Sequence, residues 1–218
     1  MLRKTHGKRK FKQALNHLTN VDLNFLAHTF LSGDSEEILI GNFIADFIKG
    51  NQFEDYSAVI VDGIFLHRNI DSYTDQHPVV RDSIHRLRPD YGKYSGVVVD
   101  IYYDHFLAIN WSKYTHKTLK EHAQWVYQVL QKHQNILPPR VQQILPNVVH
   151  YNWLENYAYL ENIERALIRV GERAKYNPNI ELAIHNLKKD FQAFDQDFQK
   201  FFPDLVNHVN YFLSHRRG

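Results

Sequence analysis

An all-α fold, a single-domain helical bundle, is what this sequence predicts, on three observations. Apolar residues return at three- and four-residue steps along nearly the whole chain. No sustained period-two alternation bounded by hairpin turns interrupts them. Ser, Gly and Pro residues then cut the chain into segments of helical length.

Taken in order, a first helix is expected from Asp22 to Leu31, stopped by Gly33, and Ser35 caps a second that ends near Lys49 and Gly50. A third covers Tyr56 to Gln76 and ends before Pro78, because the residue preceding a proline is pushed out of helical geometry. Next come a short helix from Val79 to Arg88, closed by Pro89, and a strongly apolar one from Tyr94 to Trp111. Helices over 118–133, 139–151, 153–171 and 179–201 follow, with Pro203 opening a last one to about 214. Phe191, Phe194, Phe198, Phe201 and Phe202 stand at helical spacing, a pattern assigned to core packing alone.

Composition narrows the classes. The 218 residues suffice for one sizeable core, and 44% hydrophobic against 23% charged residues is the balance of a globular chain. No apolar run has the length of a membrane span, and the basic start leads into Phe11, Lys12 and Gln13 rather than a signal-peptide core. The absence of cysteine excludes disulfides, thiolate metal sites and a cysteine nucleophile, and suggests a reducing, cytoplasmic setting. Arg3, Lys4, Lys8, Arg9, Lys10 and Lys12 precede the first acid, Asp22; removing these six from the 26 basic residues leaves 20 against 24 acidic ones, net −4. Residues 1–20 therefore read as a flexible basic tail, and 21–218 as one helical domain. Nucleic acid is not an expected partner of the acidic remainder.

The 14 histidines are an excess worth following. His67, Asp71 and Asp75 stand at four-residue steps, and at about 100° per residue His67 and Asp71 share the inward stripe of Ile60 and Ile64, with Asp75 at its edge. Asp104 and His105 fall on the apolar arc of Val97, Val98, Ile101 and Ala108, while Asp100 lies just outside it. His28 and Asp46 sit in apolar helical runs, and Asn42 lies one turn before Asp46. Any one of these has a structural explanation, as a satisfied core histidine or an ordinary pair one turn apart. Four helices turning such side chains inward favour a metal, because a buried carboxylate is costly unless paired or coordinated. Imidazole and carboxylate donors without thiolate suit manganese or iron better than structural zinc. A metal polarises a phosphoryl oxygen and acidifies bound water, so no nucleophilic side chain is required, and the sequence carries no GxSxG elbow, P-loop or Rossmann fingerprint.

Asn24–His28 (NFLAH), Gly41–Asp46 (GNFIAD) with Phe47 and Gly50, Gly63 with His67, Arg68, Ile70 and Asp71, Thr74-Asp75, and Asp100 through Asp104, His105, Phe106 and Leu107 together resemble the acyl carrier protein phosphodiesterases, atypical and distant members of the HD-type phosphohydrolases. The resemblance covers the first half of the chain strongly and the second half loosely. It implies an HD-domain-like fold and manganese-dependent hydrolysis of the phosphodiester joining 4'-phosphopantetheine to a serine of holo acyl carrier protein. It also implies a metal site of His28, Asp46, His67, Asp71, Asp104 and His105, with Asp46 the first position to mutate. Here the pair reads Asp104 then His105, the reverse of the usual HD order.

Arg68, adjoining His67, is the expected catalytic cation, and Arg81, Arg86, Arg88 and Lys93 are the expected docking patch for an acidic carrier protein. Two rival readings stay open: an HD-type phosphohydrolase of nucleotides or another small phosphodiester, and a non-enzymatic helical binding module.

Overall fold

Gly33, at φ +62°, ends the first helix, α1 (Phe25–Leu31), as expected, and the Ser35 side chain accepts from the Ile38 N–H to start α2 (Glu36–Ile44). The computed structural model describes residues 25–50, 52–176 and 178–216; the expected basic tail and the Asp22 start of the first helix lie outside them. All elements among the described residues are helical. They continue as α3 (Ala58–Gln76), α4 (Pro78–Tyr91), α5 (Ser95–Ile109), α6 (Leu119–Lys132), α7 (Pro139–His150), α8 (Trp153–Asn156), α9 (Leu160–Arg173), α10 (Ala183–Lys189) and α11 (Phe191–Arg216).

Five boundaries differ from the sequence expectation. The second helix gives way after Ile44 to a tighter 3-10 turn, Ala45–Phe47, which carries Asp46. Pro89 does not close α4; it sits in the last turn, where it removes only one ladder bond, and Gly92 at φ +54° ends the helix. The 153–171 segment divides at Tyr157 into α8 and α9, and the 179–201 segment divides near Asp190, whose carbonyl receives the Phe194 N–H as α11 begins. Pro203 opens nothing: α11 runs straight through it. A mid-helix proline costs about 3 kcal/mol, but Phe198, Phe201 and Phe202 before it and Leu205 and Val209 after it are all buried, so one continuous packed stripe outweighs the lost bond.

Helix α5 occupies the middle, contacting α1, α4, α9 and α11. Its Tyr102 and Phe106 and the α11 residues Phe194, Phe198 and Phe202 are the largest fully buried side chains. Helix α11 lies across α3, α4 and α5, while α6, α7 and α8 pack as a second group that reaches α2 through α6.

Candidate metal centre

The site begins with two missing side chains. A Cβ at Gly41 on α2 would stand 1.9 Å from the Ile60 carbonyl oxygen, and one at Gly63 on α3 would stand 2.4 Å from that of Ile38. Glycine at both positions lets the two backbones touch, which places Asn42 against His67, one turn beyond Gly63.

Asn42 is fully buried and ties the site together. Its Nδ2 donates to the His28 carbonyl at 2.8 Å and to Ser32 Oγ at 3.0 Å. Its side-chain oxygen lies 2.8 Å from His28 Nδ1, and its backbone carbonyl 2.9 Å from His67 Nδ1. Carbonyl oxygens only accept, so both imidazoles carry a proton on Nδ1 and turn Nε2 the other way. The two rings stack at 4.1 Å. An Nδ1–H held by a carbonyl with Nε2 outward is the arrangement that orients histidine as a metal ligand.

Carboxylates meet those Nε2 atoms. Asp71 reaches His28 and His67 through its two oxygens, each at 3.2 Å, and Asp46 approaches His67 at 3.0 Å. Burial opposes a proton on His67, yet Asp46 and Asp71 outweigh it and raise its pKa to about 10. Burial likewise opposes charge on Asp71, but His28 and His67 hold its carboxyl well below the usual carboxylate range. Donor atoms of His28, His67 and Asp71 all lie within 4.8 Å of one another and could hold a metal ion. They face a cavity of about 200 Å3 whose lining includes five aspartates, Asp46, Asp71, Asp75, Asp100 and Asp104, and no Lys or Arg among the described residues. Phe198, Phe201, Phe202 and Leu205 form its apolar wall, so residues expected only to pack the core also shape the cavity.

The other expected ligands are placed differently. Asp104 reaches the cavity, but its oxygens accept the Leu26 and Ala27 N–H groups at 3.1 and 2.9 Å, and the Tyr157 hydroxyl also bonds it. Burial raises its pKa to about 7, with those donors opposing. It thus pins the helix that presents His28. His105 is buried but does not line the cavity: its Nδ1 lies 2.7 Å from the Tyr157 carbonyl, and its ring meets Phe191 edge-on. Of the tandem Asp104-His105, only the first therefore lines the cavity, as successive residues about 100° apart on a helix face different ways.

The same rotation sets the position of Arg68. Adjacent to the inward His67, it points outward, donating to the Gly50 carbonyl at 3.4 Å between the rings of Phe53 and Phe65, and it does not line the cavity. Of the expected docking patch, Arg86 is engaged with Asp197 at 3.0 Å and packs over Phe194. Arg81 bonds the Asp75 carbonyl at 3.3 Å, Lys93 lies over Tyr94, and Arg88 is exposed in the last turn of α4. Asn42 is the residue whose part exceeds its sequence signal; a buried amide one turn before Asp46 was the only hint.

Comparison with known proteins agrees with the motifs. The family model described as acyl carrier protein phosphodiesterase matches residues 23–205. An acyl carrier protein phosphodiesterase of Yersinia enterocolitica is 33% identical over 189 residues, covering 85% of this chain and 96% of the relative. One from Photorhabdus laumondii is 32% identical, covering 84% and 93%, and one from Yersinia pestis is 30% identical, covering 87% and 98%. No solved structure matches. With the family model spanning most of its length and these relatives covered almost end to end, the chain belongs to the acyl carrier protein phosphodiesterase family.

Proposed function

We propose that this protein hydrolyses the phosphodiester between 4'-phosphopantetheine and the serine of holo acyl carrier protein, using a divalent metal, preferentially manganese, held by His28, His67 and Asp71 with Asp46 beside them. One observation carries the reading: a cavity lined by five carboxylates and no Lys or Arg among the described residues would repel a phosphodiester unless a cation sat between them. The donor chemistry fits such an ion, since two imidazole nitrogens and carboxylate oxygens without sulfur match manganese or iron. When bound, the metal supplies charge for the phosphoryl oxygens and an acidified water.

The chain's own groups do the rest. Asn42 fixes both imidazoles, Asp46 accepts a proton from the attacking water, and Asp104 anchors α1 beneath His28. A carrier protein cannot enter a cavity of about 200 Å3, so the serine stays at the mouth and the prosthetic arm lies inward against Phe198, Phe201 and Phe202. Arg88 and Lys93 are exposed cations offered to the acidic carrier. The HD-type kinship is part of this reading, with Asp104 and His105 serving as supports. No helix among the described residues is long and apolar enough to cross a membrane, and a cytoplasmic location alongside the carrier is proposed with the activity.

Incubating holo carrier protein with the protein and Mn2+ should remove a mass equal to the prosthetic group. No loss of mass, or faster hydrolysis of cyclic nucleotides or nucleoside phosphates in the same panel, would overturn the substrate assignment.

A further inference from the structure

A second cavity, of about 470 Å3, lies where the end of α3 and the start of α4 meet α11, with Asn69, Tyr73, His77, Pro78 and His208 in its lining. Three buried atoms on those side chains, Asn69 Oδ1, His77 Nδ1 and His208 Nε2, have no hydrogen-bond partner among the described residues. Elsewhere among the described residues only Arg140 Nη2 shares that condition. A polar atom kept from water and left unpaired costs free energy, so three on one cavity point to a ligand that pairs them.

Their chemistry selects the ligand. The His77 side chain is only 9% exposed, with Phe201 edge-on at 5.0 Å and its Nε2 3.4 Å from an Asp204 oxygen. A carboxylate only accepts, so Nε2 carries the proton and Nδ1 of the neutral ring is an acceptor. The Asn69 oxygen is always an acceptor, and His208 Nε2 is one when its ring is protonated on Nδ1. Acceptors with no donor meeting them call for N–H groups, and Asp204, one turn before His208, adds negative charge close by. The carbonyl end of α3 and the amide end of α4 meet at His77, so the helix dipoles offset and the side chains decide the sign. Tyr73, stacked on His208 at 4.1 Å, and Pro78 give the cavity an apolar side.

We propose that this cavity binds a small organic primary ammonium, its N–H groups on Asn69 Oδ1, His77 Nδ1 and His208 Nε2 and its carbon chain against Tyr73 and Pro78. An ammonium brings three N–H donors and a charge that Asp204 favours. An inorganic anion would meet lone pairs and a carboxylate instead. Among the described residues, this site and the metal centre share no lining residue.

The full chain is titrated at about pH 8, where an ordinary imidazole is neutral, with butylammonium, tetramethylammonium, butanol and inorganic phosphate at constant ionic strength. Calorimetric heat and the imidazole nitrogen resonances are followed together. Butylammonium should saturate, shift the His77 ring signals and bind at least about tenfold more tightly than each of the other three. Asn69→Leu removes one acceptor and should weaken it at least about tenfold. Asp204→Asn removes the neighbouring charge and should weaken it at least about threefold; its side chain is 58% exposed, so this variant keeps the test valid if Asn69→Leu misfolds. Butylammonium held by the acidic first cavity instead would bind both variants as it binds the unaltered chain, and that result would overturn the proposal. Phosphate, tetramethylammonium or butanol binding as tightly as butylammonium, or no saturable heat with butylammonium, would overturn it too.

Discussion

His28 and His67 line the cavity and His105 and His122 do not, yet all four are buried, with exposures of 3%, 6%, 2% and 7%. Their chemistry diverges because of what reaches their nitrogens. The first pair stacks ring on ring, with Nδ1 atoms on Asn42 and Nε2 atoms on carboxylates. His105 meets a backbone carbonyl and aromatic rings, and burial lowers its pKa. His122 meets Thr29 Oγ1 at 3.1 Å and the rings of Trp111 and Trp125, and burial, helped by Lys117, lowers its pKa to about 4. Burial alone makes a neutral packing residue; burial beside carboxylates makes a cation-holding one.

The most direct way to break this contrast is to exchange histidines in each group. His28→Ala combined with His67→Ala should lower release of the prosthetic arm on the order of 10^3-fold or more, since several kcal/mol of charge stabilisation go with the ligands. His105→Gln should leave turnover close to that of the unaltered chain. An equal loss at His105 in steady-state assays would restore it to the ligand set.

Acidification sharpens the contrast. The folded-state pKa of His122 lies below its unfolded value of about 6.5, so the unfolded chain binds the extra proton and His122 destabilises the fold as pH falls from about 6.5 to 4. Asp104 works the other way: with its pKa raised to about 7, the folded state binds the proton first and gains stability on acidification across the same window. The two effects offset in the unaltered chain, so the difference between it and His122→Gln is the informative quantity. Relative to the unaltered chain, the variant should gain on the order of 3 kcal/mol between pH 7 and pH 4. A constant difference in urea midpoints would show that His122 is not held neutral.

A gentler change leaves every ligand in place. Asn42→Leu keeps the branched shape but removes the acceptor from His28 and an amide from the α1–α2 contact, and should weaken Mn2+ binding by about 10–100-fold in calorimetric titration. Unaltered affinity would mean the rings are held by packing alone.

The smallest effect is expected at the surface. Arg88→Glu with Lys93→Glu should raise KM for holo carrier protein by less than about tenfold, most at low salt. Arg86→Glu is the wrong probe, because it sets a second carboxylate against Asp197 and disturbs α4–α11 packing first.

How much of this was legible in sequence follows from the physics of each feature. Gly33, Ser35 and Pro78 act within one turn, so they marked boundaries correctly. Pro89 and Pro203 were misread because a ring's local cost can be outweighed by tertiary burial that no local window contains. Angular counting placed His67, Asp104 and His105 inside, but burial is not orientation: only the structure separates Asp104, which lines the cavity, from His105, which does not. Arg68 lies away from the cavity because neighbours in sequence are not neighbours on a helix. The docking of Asn42 between two imidazoles depends on where α1 and α3 meet α2, a relation across 14 and 25 residues that periodicity cannot carry.

The touching backbones at Gly41 and Gly63 have an evolutionary consequence. Every single substitution at either position adds at least one carbon where an opposing carbonyl already stands, and the relief available is to move α2 away from α3. That motion separates Asn42 and Asp46 from His67 and at the same time opens the packing of Ile38, Ile60 and Ile64, so catalysis and stability are tied to the same two hydrogen atoms.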